Sequence, residues 1–390
     1  MPLIPLRPLL EATAQYGFAQ GAFNVNAVAQ AKAALEVHEM FRSPALLQGA
    51  DLANGFMGGR TDFMNATLED KKKGAKNIAD AVKRLAGEGN LPVVLHLDHG
   101  RDFDSVKAAI AGGYTSVMID GSSLAFADNV ELTREVVKYA HARGVTVEGE
   151  LGVLAGMEDH VFSEHSSYTN PLDAVEFFRK TGVDCLAISY GTKHGAVKGK
   201  NVKLRREIAV AVKECLLHEG IFGVLVSHGS STVPKYIVDE INALGGELKD
   251  TEGISLSELL AVIPCGIGKI NVDTDIRLAV TRNLKELFAA RPELRTSEKV
   301  GAVYSLLERN KAAFDPRVFL TPVMDMVMYG REDHEDLKAV SECIEKGVKE
   351  VVGTLVVAFG SVGKAPLIRQ VSLEDMARRY RAMERGGSNV

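Results

Sequence analysis

The chain has 390 residues, of which 46% are hydrophobic and 25% are charged, a composition typical of globular proteins and sufficient for one large domain. The formal net charge is −5 at pH 7 and no long basic block occurs, which argues against a nucleic-acid partner. The sequence contains neither a signal-peptide pattern nor a run of 18 or more uncharged apolar residues, so no membrane association is expected.

Strand-like and helix-like segments alternate along most of the chain. The strand candidates are short apolar runs bounded by Gly, Pro or polar residues, as expected for strands buried on both faces of a parallel sheet. In chain order they cover residues 21–26, 45–49, 92–100, 115–120, 145–150, 183–190, 222–227 and 266–273. Helical patterns fall between them at residues 28–41, 76–86, 103–111, 130–143 and 171–180.

Eight strands alternating with helices predict a (β/α)8 TIM barrel. The main alternative is an open doubly wound sheet, but no GxGxxG motif follows the first strand. After residue 276 the pattern is mainly helical, and residues 291–313 and 323–357 are predicted to be helices outside the barrel. We therefore expect a single barrel domain over residues 1–390, with helical additions at about 280–358.

The four cysteines show no CxxC spacing and no disulfide framework. This pattern is typical of a reducing compartment, so the sequence favours the cytoplasm.

Three histidines end or follow predicted strands, and each precedes a glycine. His99 follows the third strand, His194 the sixth and His228 the seventh. In a barrel these ends face one cup, where three neutral imidazoles and an open position would form a catalytic zinc site. Polar loop residues without a metal are the alternative for each histidine alone, but three His-Gly pairs at strand ends favour the metal site. A fourth histidine, His96, lies inside its strand and is expected to have a structural or supporting role.

Acidic residues also cluster at the predicted strand ends. Asp98 adjoins a proposed ligand, so it is a candidate general acid or base, with support of a histidine as the alternative. Asp120 and Glu150 are candidates for a second or alternative metal position, with stabilisation of the barrel rim as the alternative.

The loops after the last two strands have the composition of a phosphate site. His228-Gly229-Ser230-Ser231-Thr232 supplies backbone and hydroxyl donors, and residues 271–275 add more. Loops after strands seven and eight are the usual phosphate position in this fold, and Lys198 could add a positive charge.

An ordered set of motifs resembles class II, zinc-dependent fructose-1,6-bisphosphate aldolase and the wider ketose-bisphosphate aldolases. The motifs are HLDHG (96–100), SVMIDGS (116–122), VEGELG (147–152), GTKHGA (191–196), HGSS (228–231), KINVDTD (269–275), FDPR (314–317) and FGSVGKA (359–365). The resemblance implies a metal-dependent lyase that reversibly cleaves fructose 1,6-bisphosphate to glycerone phosphate and glyceraldehyde 3-phosphate. It also implies a homodimer or homotetramer acting on a small phosphorylated sugar.

The resemblance assigns roles to individual residues. His99, His194 and His228 match the zinc ligands, while Asp120 and Glu150 match an alternative position for a second divalent or a monovalent cation. Asp98 matches the acid/base acting at the C4 oxygen, and Glu158 an acidic residue involved in proton exchange at the enediolate carbon. The substrate-binding set comprises Asn24, Gly195, Lys198, Gly229, Ser231, Asn271, Asp273, Thr274, Arg277 and Arg317. In that set Arg277 and Arg317 match the residues that hold the distal phosphate, in part across a dimer interface.

Two departures from the family pattern bear on the substrate. Ala50 stands where the family usually has a serine that helps to bind substrate, and Asp51 places a negative charge beside it. The alternative function is therefore aldol cleavage of another ketose phosphate, such as tagatose 1,6-bisphosphate. A catalytically inactive scaffold is a third hypothesis, against which the intact Asp98 and three histidines argue.

Overall fold

The computed structural model describes residues 3–87, 89–158, 161–164, 166–199 and 202–386. Its strands are β1 (Gln20–Asn24), β2 (Ala45–Ala50), β3 (Val93–Gly100), β4 (Ser116–Ile119), β5 (Thr146–Leu151), β6 (Gly156–Glu158), β7 (Val161–Ser163), β8 (Cys185–Ile188), β9 (Val224–Ser227) and β10 (Ile267–Val272). Eight of them form a closed parallel barrel in the order β1-β10-β9-β8-β5-β4-β3-β2, and β6 and β7 form a separate hairpin. The predicted TIM barrel is confirmed, and each of its strands falls on a predicted segment.

Helices surround the barrel and continue beyond its last strand. They are α1 (Arg7–Tyr16), α2 (Val28–Met40), α3 (Asp51–Met57), α4 (Leu68–Ala86), α5 (Phe103–Gly112), α6 (Phe126–His141), α7 (Pro171–Thr181), α8 (Arg206–His218), α9 (Lys235–Ala243), α10 (Leu256–Val262), α11 (Thr274–Ala290), α12 (Gly301–Arg309), α13 (Pro316–Phe319), α14 (Met324–Tyr329), α15 (Glu335–Ala358) and α16 (Leu373–Glu384). Within the described part of the chain, none of these helices is both long and apolar enough to cross a bilayer.

The helix boundaries differ from the predicted ones where capping residues or glycines intervene. Helix α4 begins at Leu68, earlier than the apolar pattern suggested, because Thr67 and Asp70 form a capping box at its N-terminus. The predicted helix 323–357 is two helices, since Gly330 adopts a φ of +67° and ends α14. The predicted helix 291–313 is a 3₁₀ turn followed by α12. Helix α15 packs against both α2 and α11 and also contacts β1.

The barrel interior changes from apolar to charged along its axis. Towards the N-terminal ends of the strands, the inward side chains include Leu46, Val94 and Val226, which pack against Leu9 and Leu10 of α1. Towards the C-terminal ends, polar and ionisable side chains replace them. The apolar layer closes one end of the barrel, so the polar residues are gathered at the opposite end, where ligands bind in this fold.

A buried carboxylate joins α16 to the closed end of the barrel. Asp184 lies 3.0 Å from Arg7 Nη1 and 2.9 Å from His141 Nε2, and it accepts a hydrogen bond of 3.0 Å from the Tyr380 hydroxyl. The rings of His141 and Tyr380 stack with centroids 3.5 Å apart. Burial alone would raise the pKa of Asp184, but His141 and Arg7 lower it, so the carboxylate is held ionised by donors from four parts of the chain.

Candidate active site

The three predicted histidine ligands lie together at the C-terminal ends of the strands. Donor atoms of His99, His194 and His228 all lie within 4.8 Å of one another, and the three residues are buried. His99 Nε2 and His228 Nδ1 are 3.2 Å apart. His99 adopts a φ of +44°, a left-handed conformation that few non-glycine residues adopt outside turns and functional sites.

Carboxylates orient two of these imidazoles. Asp120 Oδ2 lies 3.1 Å from His99 Nδ1, which leaves Nε2 of the same ring directed at the other histidines. Glu148 Oε1 lies 2.8 Å from His228 Nε2, which leaves Nδ1 for the shared centre. Glu150 Oε2 lies 3.4 Å from this Nδ1 atom. Glu150 also forms, with His99 and Asp120, a second group whose donor atoms lie within 4.8 Å of one another.

The donor set suits a metal ion. Two nitrogens bound to one tetrahedral Zn²⁺ at the usual bond length of about 2.0–2.1 Å would lie about 3.4 Å apart, and the His99 and His228 nitrogens are close to that separation. Burial lowers the pKa of His194 and of His228, so both rings favour the neutral form that coordinates metals.

A charged layer lies directly beneath the histidines, and two of its members, Glu148 and Lys269, were not assigned a function from the sequence. Lys269 Nζ is 2.9 Å from Glu148 Oε2, and both side chains are fully buried. His96 lies in the same layer, 2.8 Å from the Ser116 hydroxyl, and burial lowers its pKa to about 3, so it is neutral. The signal that could have found this layer is the two-residue period of strands, which places residues 96, 148 and 269 on the same face as 98, 150 and 271.

Asp98 is held by amide side chains from three other strands. Its Oδ2 accepts hydrogen bonds from Gln48 Nε2 at 3.0 Å and Asn24 Nδ2 at 3.4 Å, and its Oδ1 accepts one from Asn271 Nδ2 at 3.0 Å. Burial alone would raise the pKa of Asp98, but the neighbouring positive charges of His99 and Lys269 lower it. The structure thus brings the predicted Asp98, Asn24 and Asn271 together, and adds Gln48, which the sequence interpretation did not include.

The predicted phosphate residues lie on adjoining loops at the same end of the barrel. Lys198 is buried, and its amine donates to the backbone carbonyls of Lys193 and of Gly229, the latter at 2.7 Å. Gly229 has a φ of +58°, and an added Cβ would lie 2.5 Å from the Lys193 carbonyl oxygen, so this close approach requires glycine. Gly195 has a φ of +77° in the same region.

Ser231 and Asp273 lie on the loops that follow β9 and β10. Asp275, in the first turn of α11, binds the loop that follows β9. Its carboxylate accepts hydrogen bonds from the backbone N–H groups of Thr232 and Val233 at 2.9 and 2.7 Å. Thr274 is the first residue of α11, so the helix N-terminus is directed towards this rim.

The two predicted distal arginines share one carboxylate. Arg277 Nη1 and Arg317 Nη2 lie 3.2 and 2.7 Å from Asp315 Oδ2. Arg277 also bonds to Asp273 through its Nε at 2.8 Å. Arg317 is only 2% exposed and its guanidinium lies 4.5 Å from the centroid of the Phe63 ring, so it is not the solvated surface charge that an Asp-Pro-Arg turn could have supplied.

Two further sequence predictions have different outcomes. Glu158 ends β6, but its side chain falls outside the described residues. The backbone of its strand contacts the loop that carries His194, since a Cβ added at Gly156 would lie 2.4 Å from the His194 carbonyl oxygen. Asp51 is buried in an ion pair with Lys71, so its charge is neutralised within the fold.

Comparison with known proteins agrees with this geometry. The sequence profile of the family described as class-II fructose-bisphosphate aldolase matches residues 4–364. A fructose-bisphosphate aldolase of Giardia intestinalis is 36% identical over 382 residues, covering 98% of this chain and all of the relative. One from Thermus caldophilus is 37% identical over 351 residues, covering 90% of this chain and 95% of the relative.

Solved structures support the fold. The YdjI aldolase of Escherichia coli K12 superposes with a TM-score of 0.63 at 24% identity, covering 93% of this chain and 99% of that one. A fructose-bisphosphate aldolase of Campylobacter jejuni gives a TM-score of 0.64 at 19% identity, covering 93% and 97%. The matches along nearly the full length of the sequence show that this chain belongs to the class-II fructose-bisphosphate aldolase family.

Proposed function

We propose that the protein is a zinc-dependent aldolase that reversibly cleaves fructose 1,6-bisphosphate to glycerone phosphate and glyceraldehyde 3-phosphate, a reaction of glycolysis and gluconeogenesis. The observation that carries the proposal is the convergence of three buried imidazoles, with donor atoms within 4.8 Å of one another, beside the carboxylate of Asp98. An inactive scaffold would have no need for this arrangement, which is destabilising unless it is used.

His99, His194 and His228 would hold the zinc ion, with Asp120 and Glu148 fixing the orientations of the first and third rings. When bound, the metal would act as a Lewis acid for the negative charge that develops on the substrate oxygens. Glu150, with Asp120 and His99, would provide the alternative position for a second divalent or a monovalent cation.

Asp98 would remove the proton from the C4 hydroxyl as the C3–C4 bond breaks, and return it during condensation. Its three amide contacts support this role, because they fix the carboxylate in place and favour its ionised form. The electron pair of the broken bond remains with the three-carbon ketone fragment. Glu158 would then supply a proton to the reactive carbon of that fragment, which fits the contact of its strand with the His194 loop.

The ketone-side phosphate would bind between the loops that follow β8, β9 and β10. Backbone N–H groups at Gly195 and Gly229, the hydroxyls of Ser231 and Thr274 and the α11 N-terminus are the donors, with Asp273 at the same rim. Lys198 contributes a buried positive charge, and Asn271 lies beside the reacting atoms through its bond to Asp98.

Arg277 and Arg317 would bind the distal phosphate. The planar guanidinium of arginine suits bidentate recognition of phosphate oxygens, and both groups are already gathered around Asp315. We infer a homodimer or homotetramer in which a neighbouring chain completes this end of the site. The enzyme would form one barrel domain with its helical additions and work in the cytoplasm, which fits its four free thiols.

The decisive experiment is cleavage of fructose 1,6-bisphosphate and tagatose 1,6-bisphosphate side by side with the zinc-loaded enzyme. We expect a higher kcat/KM for the fructose substrate and loss of both activities after chelation. Preference for the tagatose substrate would assign the alternative function, consistent with the missing hydroxyl at Ala50. Absence of cleavage of either substrate at full zinc occupancy would refute the proposal.

A further inference from the structure

A buried lysine amine lies far from the barrel mouth. Lys285 on α11 is 6% exposed, and its Nζ forms no hydrogen bond within the part of the chain that the structure describes. Burial lowers its pKa, as does the charge of Lys311, while Glu308 acts in the opposite direction. Since nearly all buried polar groups in proteins have partners, this amine indicates a missing one.

The side chain of Lys285 lines a cavity of about 220 Å³ between α11, α12 and the turn after α9. Arg295 lies on the same cavity wall, where its Nε donates to the Phe288 carbonyl at 2.8 Å and its guanidinium lies 5.3 Å from the Tyr304 ring centroid. Arg295 is exposed to solvent, and these two contacts hold its guanidinium beside the Tyr304 ring. The cavity lining therefore includes two basic side chains, Lys285 and Arg295, and one acidic side chain, Glu308.

This cavity is distinct from the proposed catalytic site. Thr274 begins α11 at the barrel rim, and Lys285 lies eleven residues further on, which corresponds to about 16 Å along the helix axis. We propose that the cavity binds a small phosphorylated metabolite, with Lys285 and Arg295 contacting the phosphate and the rings of Phe288 and Tyr304 packing against its carbon portion. A phosphate suits the site because a lysine and an arginine together match its charge and its several acceptor oxygens.

The test uses inorganic phosphate as the probe and the chemical reactivity of Lys285 as the readout. The full-length zinc enzyme is treated with an amine-acylating reagent near pH 8, with phosphate or with chloride at equal ionic strength, and modification of Lys285 is followed by peptide mass spectrometry. A bound anion stabilises the charged amine, so phosphate should slow acylation of Lys285 in a saturable manner. Equal modification rates in phosphate and chloride would overturn the proposal.

Paired arginine variants test the contribution of the second cation. Arg295→Gln should weaken protection by phosphate about 2–5-fold, because Arg295 is exposed and water screens its attraction to an anion. The control Arg291→Gln removes a nearby exposed arginine that pairs with Glu293, and it should leave protection unchanged. An unaltered phosphate dependence in Arg295→Gln, or an equal loss in both variants, would exclude the assigned site.

Lys285→Met provides a measurement that does not depend on labelling. The methionine side chain is similar in size and apolar, so the variant should fold. Phosphate should raise the thermal midpoint of the wild-type enzyme by more than that of Lys285→Met, because the variant would bind one phosphate fewer per chain. Identical phosphate-dependent shifts in the two proteins would contradict binding at Lys285.

Discussion

Replacing Lys269 by methionine is the sharpest test of the charged layer beneath the histidines. The Lys269 amine lies 2.9 Å from Glu148 Oε2 and donates at 2.7 Å to Asn271 Oδ1, in surroundings fully removed from water. The substitution keeps the volume but leaves the carboxylate without its cation. Removing one partner of a buried ion pair costs about 3–5 kcal/mol, a large fraction of the roughly 5–15 kcal/mol that stabilises a typical domain.

The loss of stability in Lys269→Met should depend on pH, and its direction follows from the pKa of Glu148. Burial alone would raise the pKa of Glu148, but the charge of Lys269 and the hydrogen bond with His228 lower it below its usual value. A lowered carboxylate pKa contributes stability above the unfolded-state pKa, and that contribution is lost as the pH falls through the folded-state value. In Lys269→Met the pKa of Glu148 should rise instead. The difference from wild type should therefore be largest near pH 7 and shrink towards pH 4.

Urea unfolding of the metal-free protein at pH 7.5 and pH 5 would measure this effect. The double variant Lys269→Met/Glu148→Gln should recover most of the loss, because the remaining side chain is neutral. Lys235→Met is the matched control, since Lys235 is 85% exposed and its pairing with Asp239 should contribute less than about 1 kcal/mol. The electrostatic argument would be refuted if Lys269→Met unfolded at the same urea concentration as the wild type. It would also be refuted if the double variant were no more stable than Lys269→Met.

Three further predictions concern the site itself. Asp98→Asn should retain zinc and fold but lose cleavage about 10²–10⁴-fold in kcat, and full activity in steady-state assays would assign the C4 proton to another group. His228→Ala should lose most of the bound zinc, and metal analysis that finds close to one zinc per chain would remove His228 from the ligand set. Arg317→Lys should raise KM for the bisphosphate about 10–150-fold, with a much smaller effect on a ketose lacking the distal phosphate. Equal losses on both substrates, or a lowered thermal midpoint alone, would indicate that Arg317 supports structure through Phe63 and Asp315.

The convergence of the histidines could be predicted from the sequence because it follows from topology. The C-terminal ends of parallel strands meet at one end of a barrel. His99 and His228 are therefore expected at the same end of the barrel, whatever the order of their strands. The two-residue strand period places Glu148 and Lys269 on inward faces, but it does not indicate that they form a pair. Glu148 on β5 and Lys269 on β10 are separated by two strands around the barrel, and they meet only because both point across its interior.

Asp51 shows a second limit of the sequence. Its position after β2 suggested a negative charge near the substrate, but a one-dimensional pattern could not reveal that Lys71 of α4 neutralises it. The break at Gly330 within the apolar pattern of residues 323–357 has a related cause. Hydrophobic periodicity continues across the glycine, while the left-handed backbone at that residue ends one helix before the next begins.

The Asp184 cluster has a consequence for the order of folding. Arg7 and Asp184 leave the ribosome well before Tyr380, which lies on the last described helix. Until α16 docks, the buried carboxylate lacks one donor and the His141 ring lacks its stacking partner, and both losses destabilise the closed end of the barrel. The closed end of the barrel therefore reaches its full stability only after α16 has been synthesised and has docked, and nascent or shortened chains that lack α16 should be the more protease-sensitive forms.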